Sequence, residues 1–153
     1  MTDNGWERVV ELSATGAAVI VATADADGRP SITRGWGPTP DSERRTMSLT
    51  ITAPEGSSTL ANLESNALIA VTLSRPSTYE TIQVKGPVSS VEQPSQRDLD
   101  RAHDHLDRFI TEVALVGVEE GGDRLFLGNL RTVSFTVESI FNQTPGSSAG
   151  TLL

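Results

Sequence analysis

Cysteine is absent from the 153 residues, which excludes disulfides, thiolate metal sites and a thiol nucleophile together. Packing alone must hold the fold. Long apolar runs are missing too. No stretch approaches the roughly 20 residues that a spanning helix needs, so no membrane partner is expected. The opening MTDNGWERVVEL carries acid early and has neither a basic start nor a continuous apolar stretch. No secretory signal is read there, and a cytoplasmic location is the expectation. Basic charge is scarce: 12 Lys and Arg against 20 Asp and Glu give a net charge of −8, and only Arg44 and Arg45 adjoin. A nucleic-acid backbone would be repelled, so nucleic acid is not an expected partner. An anionic small molecule is compatible, because one arginine or a group of backbone N–H donors in a cleft binds phosphate whatever the net charge.

The chain does have enough length for one domain with a core, and 37% apolar with 21% charged residues is a globular composition. Residues 5–14 place Trp6, Val9, Val10 and Leu12 at near-helical spacing. Ala17 to Ala24 is a β-branched run, the Asp25-Ala26-Asp27-Gly28 turn reverses it, and Pro30 to Gly37 returns. That return strand sets Ile32, Arg34 and Trp36 on one face and Ser31, Thr33 and Gly35 on the other. Thr46 to Thr52 alternates cleanly, with Met47, Leu49 and Ile51 pointing one way. A short helix follows, capped by Ser57 or Ser58 and closed by Ser65-Asn66.

Two more strands are expected at Ala67 to Leu73 and Glu80 to Val91, the second interrupted by Gly86-Pro87. Such a break suits an edge, a bulge or a bend between barrel faces, and the proline argues against a central position. A long helix should start at Ser95 with Asp98 in a capping-box position, and Leu99, Ala102, Leu106, Phe109, Ile110 and Val113 make its apolar stripe. By that phase His103 joins the stripe and His105 faces elsewhere. After a Gly121-Gly122-Asp123 turn and a short apolar piece at 125–127, a last strand spans Thr132 to Phe141. The expected organisation is one domain over 1–141 and a polar tail over 142–153. The tail has no core-forming pattern, so it is either a disordered end or an ordered flap over a site. Six mostly sequential strands with two interposed helices give a mainly β fold, a six-stranded antiparallel split barrel with flanking helices.

This order of elements resembles the pyridoxamine 5'-phosphate oxidase-like, FMN-binding split-barrel family. The resemblance covers about Leu12 to Phe141 and rests on AVIVATADADGRPSITR, on LTIT followed by STLANLESNALIAVTL, on TIQVKGPV and on VSFTVESIF. It implies a homodimer with a cofactor between subunits, FMN first, with the deazaflavin F420 or haem as alternatives. The implied activity is flavin-dependent oxidation or reduction of a small molecule; the alternatives are a non-catalytic flavin or deazaflavin carrier and a haem-handling protein. Genuine pyridoxamine phosphate oxidase activity is disfavoured, since the family enzyme's basic residues near the chain end have no match in FNQTPGSSAG.

The implied cofactor-binding residues are Thr33, Arg34, Gly35 and Trp36 on the second strand, Thr50, Ile51 and Thr52 on the third, Ser57, Ser58 and Thr59 at the short helix, and Gln83 and Lys85 on the fifth. Physical chemistry supports the central group independently: a strand end, a turn and a helix start aim unpaired N–H groups and hydroxyls at one point, helped by the helix dipole. The plainer reading makes Ser57 or Ser58 only an N-cap. The sequence departs from the family at Thr59, where a Lys or Arg often meets the phosphate. Arg34 is either a phosphate ligand or an exposed arginine stacked on Trp36. No nucleophile and base pair is defined by spacing, so catalytic residues stay unassigned, and no metal site is read from His103 and His105, which point to different sides of a helix.

Overall fold

A computed structural model describes residues 2–119, 125 and 127–153. The Gly121-Gly122-Asp123 turn lies outside the described residues, as does Phe126 of the expected apolar piece. Helix α1 spans Asp3–Ser13, capped by Thr2, whose hydroxyl accepts the Gly5 N–H at 3.1 Å, and it buries Trp6, Val9 and Leu12. Strands β1 (Ala18–Ala24) and β2 (Pro30–Asp41) form the first hairpin. In its turn the Asp25 carboxylate accepts the N–H groups of Asp27 and Arg29, each at 2.9 Å, and Gly28 takes φ +81°, a conformation that favours glycine. Strand β3 (Thr46–Thr52), helix α2 (Ser58–Ser65), strands β4 (Leu68–Ser74) and β5 (Thr81–Glu92), and helix α3 (Gln96–Leu115) follow.

The chain then closes with β6 (Leu130–Thr136), β7 (Ser139–Asn142) and β8 (Thr151–Leu152). Every pairing is antiparallel, and β1, β2, β3, β6, β5 and β4 form a closed ring of six strands, with β7 and β8 added beside β5. Closure removes the exposed edges that an open sheet would present. Alternation fills the interior: Val19, Val21, Met47, Leu49, Ile51, Val71, Leu73, Ile82, Val84, Val133 and Phe135 are all buried in one cluster.

Four expectations need correction. Strand β5 is central, not an edge: β4 lies along one side of it, β7 and then β6 along the other. Pro87 is tolerated because it falls between the end of the β7 pairing at Lys85 and the start of the β6 pairing at Val88, where no ladder bond is asked of it. The same corner divides the expected last strand into β6 and β7. At Gly86 a Cβ would stand on the Thr136 carbonyl oxygen, so β5 and the β6–β7 link touch backbone to backbone.

Helix α3 packs on a face that differs from the expected stripe. Its capping box is present in both directions, with Asp98 N–H to Ser95 Oγ at 3.2 Å and Ser95 N–H to the Asp98 carboxylate at 2.9 Å. The residues it buries are Ala102, His105, Phe109 and Glu112, while His103 is exposed. His105 lies three residues after Ala102 and four before Phe109, so the 3.6-residue period puts it on the packed face. Together with Trp36 and Leu130, this face makes a second, smaller core on the outside of the barrel. Finally, Arg34 is seated over the Phe109 ring, 5.4 Å from its centroid, rather than over Trp36. Residues 142–153 are ordered: β8 pairs with Phe141 and Asn142, and Leu153 N–H donates to Ile140 at 2.8 Å.

Candidate functional site

Helix α2 lies over the barrel mouth against β1 and β2, held where Asn62 donates to the Thr23 hydroxyl at 3.1 Å. Ser57 is its N-cap, with the Leu60 N–H donating to Ser57 Oγ at 3.3 Å. Helix geometry leaves the N–H groups of Ser58 and Thr59 without intrahelical acceptors. At this point opens a cavity of about 360 Å³ lined by Ser31, Ile32, Thr33, Thr52, Pro54, Ser57, Ser58 and Thr59. Thr33 donates its hydroxyl to the Thr52 carbonyl at 2.6 Å, joining β2 to β3 at the rim. Thr59 is only 5% exposed, and among the described residues nothing engages its hydroxyl. Its oxygen is not among the side-chain atoms buried without a partner, so at the cavity wall it is open to a ligand or water.

The structure thus brings together five of the twelve expected residues: Thr33, Thr52, Ser57, Ser58 and Thr59. The other seven are dispersed. Gly35 and Ile51 face the barrel interior, where a Cβ on Gly35 would press on Leu49 and Val19 at 2.8 Å. Trp36 and Thr50 are buried on the outer side, and Thr50 donates to the Trp36 carbonyl at 3.2 Å. Arg34 sits beside Phe109. Gln83 donates to the Thr72 hydroxyl at 3.0 Å, and Lys85 lies over Phe141, 4.8 Å from the ring centroid. Lys85 instead borders a second cavity of about 400 Å³, lined by residues of β1, β4 and β5 that include Ala22, Ala24, Leu68 and Ala70, with Glu138 also at the wall. Ile32, 70% exposed, and Leu68, 53% exposed, are the large apolar side chains on this side.

Sequence reasoning missed Ser31, Ile32 and Pro54 as lining residues. Their signal was position: Ile32 adjoins Thr33, and Ser31 and Pro54 lie two residues from Thr33 and Thr52.

The polar groups under α3 have a different character. His105 is 1% exposed, its Nδ1 accepts the Gly37 N–H at 3.1 Å, and its Nε2 lies 2.9 Å from the Ala17 carbonyl oxygen. A carbonyl only accepts, so Nε2 carries the proton and the tautomer is fixed. Burial, with Arg108 nearby, pushes its pKa down to about 4 against the Ala17 bond. Both ring nitrogens are engaged, and the more open histidine of the pair is the exposed His103. At the far end of α3, Glu112 accepts from Arg75 Nε at 2.8 Å and from the Ser77 N–H at 3.3 Å. Burial pushes its carboxyl up, but the Ser77 and Arg75 contacts outweigh it and bring the pKa below the ordinary value. No described helix is long and apolar enough to cross a membrane.

Barrel, cavity and helices together define a small split-barrel protein. The chain has the fold of the pyridoxamine 5'-phosphate oxidase-like split-barrel family. An F420 reductase superposes with a TM-score of 0.56 at 14% identity, covering 85% of this chain and 93% of that one. The haem storage protein HutZ of Vibrio cholerae gives 0.51 at 16%, covering 89% and 92%. A pyridoxamine 5'-phosphate oxidase-related, FMN-binding protein of Nostoc punctiforme gives 0.50 at 10%, covering 95% and 85%. At these identities the likeness is one of fold. No protein-family model and no curated protein matches the sequence.

Proposed function

We propose that the protein binds a phosphate-bearing flavin, FMN in the first instance, at the start of α2 and uses it as an oxidoreductase on a small molecule. One observation carries this reading: the roughly 360 Å³ cavity in which six hydroxyl-bearing side chains from three chain segments surround the first turn of a helix. Free N–H groups and a positive dipole end suit a phosphate, and the unengaged hydroxyl of Thr59 fits an acceptor oxygen. Fold neighbours that handle FMN or F420 support the same class of ligand.

When bound, the flavin would supply the hydride or electron step, and the chain supplies binding and orientation. Ser58 and Thr59 would donate through N–H and hydroxyl, Thr52 would close the far wall, and Ile32 offers an apolar surface beside them. A second copy would cover the outer side that bears Ile32 and Leu68, since an apolar patch of this kind marks an interaction surface.

A carrier without turnover is the second reading. The eight lining residues include no titratable side chain, so the cavity offers no proton donor or base of its own. Haem handling has less support here, because the buried histidine has no free nitrogen. Titration with FMN, F420 and haem, followed by absorbance, tests the cofactor; a protein that takes up none of them refutes the reading. Reduction of bound FMN by a nicotinamide donor with repeated turnover separates enzyme from carrier. Light scattering of the wild type against Leu68→Glu should show a dimer reduced to a monomer, and a wild-type monomer would remove the second copy.

A further inference from the structure

The lining of the α2 cavity has a property that its shape does not reveal: every donor in it is neutral. Ser57 Oγ accepts from Leu60 and keeps its proton for a ligand, Ser58 and Thr59 add hydroxyls and N–H groups, and no charged side chain lines the wall. The charged groups around it are already matched or turned away. On the turn before α2, Glu55 meets Arg131 of β6 at 2.7 Å. On the β1–β2 turn, Arg29 meets Asp27 at 3.2 Å. On β2, Arg34 rests on Phe109, and Glu64 lies at the other end of α2. The whole chain carries −8.

A helix start contributes the equivalent of only about half a positive charge. The cost of taking an ion out of water rises with the square of its charge, whereas the attraction of a fixed set of neutral donors rises linearly. A singly charged phosphate is therefore favoured in this cavity, and a dianion lacks the cation that would balance its second charge. We propose that the neutral donors of Ser58 and Thr59, with no cation among the lining residues, make the site selective for singly charged phosphate. The ligand class is a flavin or deazaflavin phosphodiester, or a phosphomonoester that has kept one proton. This rests on the cofactor reading of the cavity.

Fluorescence titration of the full chain with FMN and with riboflavin, at pH 5.5 and pH 8.0, tests it. The second pKa of a phosphomonoester is about 6, so its singly protonated fraction falls roughly 75-fold across that interval. Wild-type affinity for FMN should fall at least about tenfold, while riboflavin, which has no phosphate, binds equally at both. Ser58→Lys, at an exposed position, should hold FMN at pH 8.0 at least as well as at pH 5.5; Thr59→Lys is the second variant should the first fail to fold. FMN affinity that is unchanged or higher at pH 8.0 overturns the inference. So does a riboflavin loss that matches the FMN loss, or a lysine variant that keeps the wild-type loss. Failure of both ligands to bind at either pH instead refutes the cofactor reading itself.

Discussion

The faces where α2 and α3 meet the barrel use polar chemistry in opposite ways. Under α3 the polar groups hold the structure together. His105 ties Gly37 to Ala17, Glu112 ties the β4–β5 hairpin to the helix end through Arg75 and Ser77, and Asp98 joins the helix start to Thr132 at 2.9 Å. The exception is the Trp36 indole N–H, which is buried without a partner among the described residues. Under α2 the hydroxyls border a cavity, and the one on Thr59 bonds to nothing described. Where polar groups bond one another across a packed face, the geometry is rigid and closed to ligands. Where they border a cavity, they are available to something else. Substitutions on the two sides should therefore separate stability from binding.

The largest effect is expected at the closest approach under α3. A Cβ on Gly16 would stand on the Arg108 carbonyl oxygen, with Phe109 N at 2.7 Å. Backbone cannot yield as a side chain can, so Gly16→Ala should cost more than about 3 kcal/mol. Urea unfolding measures it, and a loss under 1 kcal/mol would show that the helix can move away. His105→Ala comes next. It strands the Gly37 N–H and the Ala17 carbonyl inside the protein, each costing about 1–3 kcal/mol. It should also change the response to acid. With a folded pKa of about 4 against an ordinary 6.5, His105 contributes stability that is present above pH 6.5 and lost as pH falls through 4. The full loss is up to roughly 3 kcal/mol. Wild-type stability should fall over that interval, and the variant's should fall less. Asp98 and Glu112, whose pKa values are also lowered, contribute to the acid response of both proteins and so do not account for a difference between them. Equal slopes would remove His105 as the cause.

On the α2 side, Ser57→Ala removes the cap and should cost only about 1 kcal/mol. A larger loss, read from the same urea curves, would mean that α2 holds the barrel mouth as firmly as α3 holds its side.

Much of the α3 side was legible in the sequence, because an amphipathic stripe and a capping box are local signals. His103 and His105 exchange places because the packed face runs through Ala102, His105, Phe109 and Glu112, whereas the apolar stripe alone includes the half-buried Leu106 and Val113. The barrel was legible from alternation in β3 and β4 and from the Asp-Gly turn after β1. Its corner was not. The split between β6 and β7 carries no Gly or Pro of its own at Val137-Glu138, because the residue that permits it, Gly86, belongs to another strand. Candidate site residues divided for a similar reason. Those at the strand-end, turn and helix start came together because sequence neighbours stay neighbours, whereas Gln83 and Lys85 depended on which side of β5 the barrel would turn outward.

The smallest stability effect should come from Thr59→Val, and it is the most direct test of the contrast. Valine has the same shape as threonine, so the packing of this 5% exposed position is kept and only the hydroxyl is lost. If that hydroxyl has no structural partner, the change should leave unfolding free energy within about 0.5 kcal/mol of wild type, since no hydrogen bond within the protein is lost. Under the cofactor reading the same change removes one hydrogen bond to phosphate, and FMN affinity should fall about tenfold, equivalent to about 1.4 kcal/mol. His105→Ala should show the reverse pattern, with a large stability loss and unchanged affinity in whatever fraction remains folded. A Thr59→Val variant that loses more than 1 kcal/mol while binding FMN normally would place Thr59 with the structural groups, and the cavity at α2 would then differ from the α3 face in openness alone.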